Sequence, residues 1–419
     1  MGSAATIVNT PLILKNVWED LAEDYFNDEQ PFMGLVSRPT DWEGLYRLVT
    51  VPTGGMAGRS AIFGEALANK SPPTFAQMTV GVRDNFATWS VDHKLITLSR
   101  SDKGSLTRAV TSSTEAAMNK LKASQNFMNW RDGGGNVGRF SSISTTTGTL
   151  YDLNDIRNFD TGDVIEFADD SGVAAGGVKS ASATIVGLNE DTGVITFDIN
   201  IATQIPGISS TPYIFHKGDY NLAFYGVPAY CTLQAPGVGI VPAAVWGLTR
   251  TTNPTLLAGS RFTSSNLLLI EAIKKSLATA ARRKIKTTHM FMPPEVYNDV
   301  EMSLQGARRY VDEKVGNVGY KALVFTTQDG RDIKCYPDSD IPKDATAVTK
   351  YIFGLNLPEF KFRTAGAYPD WLTNPLAGGN GAMSKFMVEQ NANASSGRLG
   401  GYGQLYTKAF KQHWNLALT

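Results

Sequence analysis

The residues best equipped for chemistry are few and far apart. The four histidines, His93, His216, His289 and His413, show no H-x-H or H-E-x-x-H spacing, so they form no zinc or general-base pattern. The two cysteines, Cys231 and Cys335, make no C-x-x-C pair and are too few for a disulfide framework. A reduced compartment such as cytoplasm suits them. "GGGNVG", Gly133 to Gly138, has the spacing of a dinucleotide fingerprint. That motif works only where a strand delivers phosphate to a helix N-terminus, and here the glycines follow a long helical pattern and read as its stop. Phosphate-loop and nucleophile-elbow motifs are absent. "ADDSG" (Ala168 to Gly172) and "PDSDIPKD" (Pro337 to Asp344) gather carboxylates that could hold a hard cation, but neither has the full calcium-loop pattern and both read as turns. "ARRKIK" is the one basic run. Its Arg282, Arg283 and Lys284 could face DNA phosphates, or simply complement the dipole of a helix C-terminus. The expectation is a protein that is not an enzyme, with no metal and no cofactor.

Composition agrees. The 419 residues can bury a sizeable core, and 40 glycines with 42% apolar residues describe a folded chain rich in β-structure and turns. Lys+Arg and Asp+Glu both total 39, so no global imbalance points to nucleic acid or membrane. No apolar run approaches a membrane span, and "MGSAATIVNTPLILK" lacks the basic region of a secretory signal.

The elements carry more information than the chemistry. "NVWEDLAEDYF" reads as a short amphipathic helix capped by Asn16, with Trp18, Leu21 and Tyr25 on one face and Phe26 at its end. Between two strand-like stretches, "GLYRLVTV" and "TFAQMTVGVRDNFATWSVDHKLITLS", lie two dozen small and polar residues, "PTGGMAGRSAIFGEALANKSPPTF". A hairpin needs two to five loop residues, and long structureless loops usually have a function. The second stretch would extend roughly 85 Å if unbroken, against a compact body of roughly 55 Å. It must bend or project. Projection suggests contact with another subunit. "GSLTRAVTSSTEAAMNKLKASQNFMNW" is one long helix with Ser105 as its expected cap. Short strands separated by Gly, Asn and Asp turns from about 155 to 220 read as a small barrel or sandwich. "SSISTTTGT" before it and "YGVPAYCTLQAPGVG" after it read as linkers. Helices follow at "SSNLLLIEAIKKSLATAARR", capped by Ser264 or Ser265, and "PPEVYNDVEMSLQG"; strands follow at "THMFMP", "KALVFTT", "RDIKCYP", "VTKYIFGL" and the end of the chain. "NANASSGRLGGYG" reads as a loop.

This order of elements resembles the major capsid proteins of tailed double-stranded DNA phages, which have the Hong Kong 97-like fold. The resemblance rests on element order and has no short diagnostic motif. It implies an α+β chain divided into an N-terminal arm (1–43), an extended loop (44–99), a spine helix with peripheral lobe (100–150), an inserted small β domain (151–225), an axial lobe (226–372), and a return to the peripheral lobe with a C-terminal strand (373–419). It further implies a virion structural protein, assembled in the host cytoplasm without a membrane. Such proteins build hexamers and pentamers of an icosahedral shell around packaged double-stranded DNA, with scaffolding, portal and decoration proteins as further partners. Intersubunit contacts would come from the loop tip (Gly54, Gly55, Arg59, Phe63, Glu65, Lys70) and from the arm (Trp18, Leu21, Tyr25, Phe26). Some relatives crosslink a loop lysine; Lys70 stands in a suitable part of the tip, with no asparagine or glutamate matched to it. A nanocompartment (encapsulin-like) shell and another virion part, such as a tail or surface protein, remain the alternatives.

Overall fold

The structure is a computed structural model that describes residues 31–92, 103–173, 176–239, 241–264, 267–304, 323–327, 330–343, 349–372, 386–389 and 393–418, and of residues 103–112, 386 and 388 the backbone only. The expected arm helix, with Trp18, Leu21, Tyr25 and Phe26, lies outside the described residues.

Strands β1 (Tyr46–Gly54) and β2 (Thr74–Gly81) pair antiparallel as a two-stranded ribbon. The predicted long strand then breaks. β3 (Arg83–Asp92) leaves the ribbon and pairs with β20 (Ala394–Thr407), so the bend falls at Gly81–Val82. A Cβ on Gly81 would meet the Trp246 ring at 3.2 Å, which is why glycine stands at the turning point.

The spine helix runs Lys103–Asn129, starting two residues before the expected Ser105. At 1.5 Å per residue it is about 40 Å long. Its last turns are its buried part: Leu121, Gln125, Asn126 and Phe127 are covered, and Trp130 just beyond is fully so. Trp130 packs against Phe32, Phe291 and Phe353 at ring-centroid distances of 5.1, 5.5 and 5.3 Å. The helical turn Pro31–Leu35, the end of the spine helix and two sheets therefore meet in one core.

After the Gly133–Gly135 run the chain makes a closed six-stranded barrel of β4 (Asn136–Ile143), β5 (Thr147–Leu150), β6 (Val164–Ala168), β7 (Ala183–Asn189), β8 (Val194–Phe197) and β9 (Tyr213–His216), in the order β4-β5-β8-β7-β6-β9. The barrel has its own core around Phe140, Phe167 and Phe197. Its first hairpin lies upstream of residue 151: "SSISTTTGT", expected as a linker, supplies the end of β4 and most of β5. The glycines before it are packing devices. A Cβ on Gly134 would lie 1.9 Å from the Ser171 carbonyl oxygen, and one on Gly135 2.2 Å from that of Asp219. The return segment is no linker either, since Phe224, Val227, Tyr230 and Cys231 are fully buried.

The hairpin β10 (Ala244–Val245) and β11 (Leu248–Thr249) follows the return segment. A six-stranded mixed sheet then has the order β12-β21-β16-β13-β15-β14: β12 (Ser260–Thr263), β13 (His289–Met292), β14 (Leu323–Thr326), β15 (Asp332–Pro337), β16 (Lys350–Leu355) and β21 (Trp414–Leu418). The helices Leu269–Arg282 and Pro294–Ser303 pack on it through Ala272, Ile273, Leu277, Val296 and Val300. The first begins after Leu268 with no side-chain cap, so the expected Ser264 does not serve, and Ser265 lies outside the described residues.

Two expectations about membership are corrected. The C-terminal strand β21 lies between β12 and β16, not beside the spine helix. The "loop" from 393 on is β20, which pairs with β3 on one side and with β17 (Phe360–Thr364), β18 (Asp370–Trp371) and β19 (Phe386–Val388) on the other. β17 and β18 thus sit in the sheet that carries the spine helix, although they fall within 226–372.

Candidate intersubunit surface

The ribbon has two unlike faces. Val51, Met78 and Val80 point into the main core. Tyr46, Leu48 and Phe75 point the other way and are exposed. Asn253 Nδ2 also donates to the Thr53 carbonyl at 3.1 Å. The strand portion is therefore fixed on the body of its own chain up to Thr53, so of the extended loop expected over 44–99 only the tip projects.

Beyond Thr53 the tip stands free of the body. It is ordered by its own hydrogen bonds: an isolated bridge pairs Ala57 with Ser71, and Phe63–Ala68 form a short helix. The Ser60 hydroxyl accepts from Ile62 N–H at 3.1 Å, and the Asn69 backbone and side-chain amides both donate to the Glu65 carbonyl, at 3.0 and 3.1 Å. Gly58 has φ +97°, and a Cβ there would lie 2.9 Å from Lys70 Cα; only glycine closes this loop without strain. Gly54 is similarly confined, since its Cβ would lie 2.4 Å from Thr74 Oγ1, whereas Gly55 faces open space.

The tip is not polar in the way its composition suggests. Met56 is 78% exposed, Ile62 65% and Phe63 80%, with Leu67 and Phe75 exposed beside them. Sequence reading named Phe63 and missed the others; "AIFGEAL", with apolar residues on more than one side of a helical turn, was the available signal. Arg59, Glu65 and Lys70 are exposed and form no ion pair among the described residues. The structure thus brings Gly54, Gly55, Arg59, Phe63, Glu65 and Lys70 onto one projection. Arg282, Arg283 and Lys284 lie elsewhere, exposed at the C-terminal end of the Leu269–Arg282 helix.

The root of the ribbon is clamped by aromatic packing. The Tyr225 and Trp246 rings lie 4.4 Å apart with their planes tilted by 43°, and the Arg83 guanidinium lies 5.7 and 5.8 Å from their rings. Trp246 Nε1 donates to the Tyr230 hydroxyl at 3.2 Å, and the Trp246 carbonyl accepts from Thr79 N–H.

A cleft of about 540 Å³ opens where the end of the spine helix, the barrel and the 338–343 loop converge. Several of its charges are paired. Arg157 donates to Asp340 at 2.6 Å, Lys343 lies 2.9 Å from Asp152 and 3.4 Å from Glu295, and Arg131 lies 3.8 Å from Asp155. Burial pushes the carboxyls of Asp132 and Asp155 up to about 6 and, with the Asp340 charge added, that of Asp338 up to about 7. The arrangement holds three parts of the chain together. The cysteines are buried, their thiols pushed up, Cys231 to about 12. Burial holds His289 down at about 4 and His413 at about 3. "ADDSG" is a turn in which Asp170 accepts from Tyr220 and Gly172. Among the described residues no group of three His, Cys, Asp or Glu could hold a metal ion, and no helix is long and apolar enough to cross a membrane.

No protein-family model matches the sequence, and no curated protein matches it. Solved structures do match. The capsid asymmetric unit of Cyanophage A-1(L) is similar over 97% of this chain and 98% of that chain, at 13% sequence identity and a TM-score of 0.54. The holo-SrpI encapsulin complex from Synechococcus elongatus PCC 7942 is similar over 99% of this chain and 95% of that chain, at 9% identity and a TM-score of 0.47, too low to carry weight beside the first. The chain therefore has the Hong Kong 97-like fold.

Proposed function

We propose that this protein is the major capsid protein of a tailed double-stranded DNA phage. In this reading it assembles into hexamers and pentamers of an icosahedral shell, and its role is structural rather than catalytic. The observation that carries the proposal is the pairing of a phage-capsid fold over nearly the whole chain with a projecting, internally ordered tip whose apolar side chains are left exposed by the described residues of the subunit.

The energetics favour contact with other copies. Burying an exposed Met, Ile, Phe or Leu side chain is worth about 1.5–3 kcal/mol, and part of this offsets the entropy lost on association. Repeated at every subunit, modest contacts close a stable shell. Arg59, Glu65 and Lys70, exposed on the same projection, would supply polar contacts at the rim, and the arm residues Trp18, Leu21, Tyr25 and Phe26 would add a second strap. The packaged DNA is bound without sequence preference.

The test is a tip variant. Ile62→Ser, Phe63→Ser and Leu67→Ser together are expected to leave circular dichroism and Tm nearly unchanged and to shift the chain from megadalton particles to free subunits or capsomers in sedimentation. Particles formed by the triple variant as by the wild type would remove the tip from the assembly contacts.

A further inference from the structure

A basic surface without ion pairs among the described residues lies on the Leu269–Arg282 helix and the turn after it. Lys274, Lys275, Arg282, Arg283, Lys284 and Lys286 are exposed along the Leu269–Arg282 helix and the turn that follows it. Lys286 N–H donates to Gln412 Oε1 at 2.8 Å, which brings this turn against the 3₁₀ turn Phe410–Gln412 and the half-buried Lys411. Among the described residues none of these cations has an ion-pair partner, in contrast to Lys120, Arg157, Lys179 and Lys343, which all do. On the same helix Glu271 stands three and four residues before Lys274 and Lys275, and among the described residues it forms no ion pair with either.

A chain with 39 cations and 39 anions that leaves this many cations together and unpaired gives one face a strongly positive field. Helix-dipole complementation accounts for one or two cations in a last turn, where the effect is confined. It does not account for Lys274 and Lys275 two turns back, or for Lys411 on another element.

The shape is fixed as well as charged. Arg283 lies 5.2 Å over the Phe262 ring. Lys284 has φ +58°, and its N–H donates to the Ala281 carbonyl while that of Ile285 donates to Ala280. The turn thus splays consecutive basic side chains outward. Apart from Glu271, the exposed residues from 269 to 286 are long cationic chains. This suits a lattice of phosphates met by point charges, the sequence-independent mode of nucleic-acid contact.

We propose that this surface, centred on Arg282, Lys284 and Lys286 and extended by Lys274, Lys275 and Lys411, is a binding site for the phosphodiester backbone of double-stranded DNA. It rests on the shell reading for its biological setting, but its chemistry stands apart from assembly.

The experiment is fluorescence anisotropy of a labelled 30-base-pair duplex of mixed sequence, titrated with the full chain at several salt concentrations. Its variants are Arg282→Gln/Lys284→Gln/Lys286→Gln and, as a control, Lys217→Gln on the barrel. The wild type is expected to bind with a strong salt dependence, little changed by a second, unrelated sequence. The triple variant is expected to bind at least about tenfold more weakly, with its log–log salt slope shallower by roughly 2–3, about 0.9 for each phosphate that is no longer neutralised. The control is expected to match the wild type. A triple variant with unchanged affinity and slope overturns the proposal. So does a wild type that ignores the duplex and binds poly-glutamate through the same residues, which would assign the surface to an acidic protein segment. Sedimentation of the same samples keeps the two readings apart: patch-dependent DNA binding by a chain that never forms shells defeats the shell reading alone, and shells whose subunits show no patch-dependent binding defeat this inference alone.

Discussion

At the scale of single residues, glycines decide several of the close approaches. A Cβ on Gly354 would lie 2.0 Å from Trp414 Cε2, and one on Gly397 2.4 Å from Trp89 Cζ2. Gly354→Ala is expected to lower Tm by several degrees, in keeping with overpacking costs of about 1–3 kcal/mol; an unchanged Tm would show that the Trp414 ring has room to move. Buried ionisable groups pull the pH dependence in opposite directions. Burial holds the His413 imidazole neutral, at about 3 against an ordinary 6.5. The unfolded chain therefore binds more protons between these values, and the stability His413 contributes is full above pH 6.5 and lost as the pH falls toward 3. Burial, and then the Asp340 charge, raises Asp338 to about 7 from 3.8. Its contribution is full below pH 3.8 and is lost as the pH rises through 7. Asp338→Asn is accordingly expected to raise Tm at pH 8 and to have little effect near pH 4, whereas parallel Tm profiles for variant and wild type would place the excess proton elsewhere. None of these pairings was legible in the sequence: Asp338 stood in an ordinary turn motif, and its burial comes from Asn126 and the end of a helix more than two hundred residues away.

At the scale of elements, periodicity carried a long way. The spine helix, the two helices on the six-stranded sheet and strands β13, β15 and β16 were readable because apolar spacing there matches the element. β20 was not. Its "GRLGGYG" looks like a loop because glycine is common in loops, but Gly397, Gly400 and Gly401 lie beneath Trp89, Phe86 and Tyr368, which supply the missing side-chain volume. The destination of β21 was hidden for a related reason, since a strand's alternation says which face it buries and not which sheet receives it. The ribbon root is where element geometry becomes testable. Trp246→Ala removes the ring that packs on Gly81 and against Tyr225 and sits under Arg83. Amide hydrogen exchange across 46–54 and 74–81 is expected to speed up while the barrel strands exchange as before. Unchanged exchange in the ribbon would show that Val51, Met78 and Val80 hold it alone.

At the scale of the whole molecule, the chain closes its cores and leaves one projection uncovered. Its barrel and sheets have closed cores, but the tip and the outer ribbon face leave Met56, Ile62, Phe63, Tyr46 and Leu48 in water; apolar side chains exposed together mark interaction sites. The length of the loop made projection legible in the sequence; the apolar character of its tip was obscured by the surrounding glycines, serines and alanines. The most direct measurement is electron microscopy of the purified chain near neutral pH, with sedimentation on the same sample. The expected result is closed particles of megadalton mass, built of fivefold and sixfold capsomers, in which the tip from Met56 to Leu67 rests on an adjacent subunit. A folded chain that stays a monomer or small oligomer at every concentration, with that tip in solvent, would contradict it.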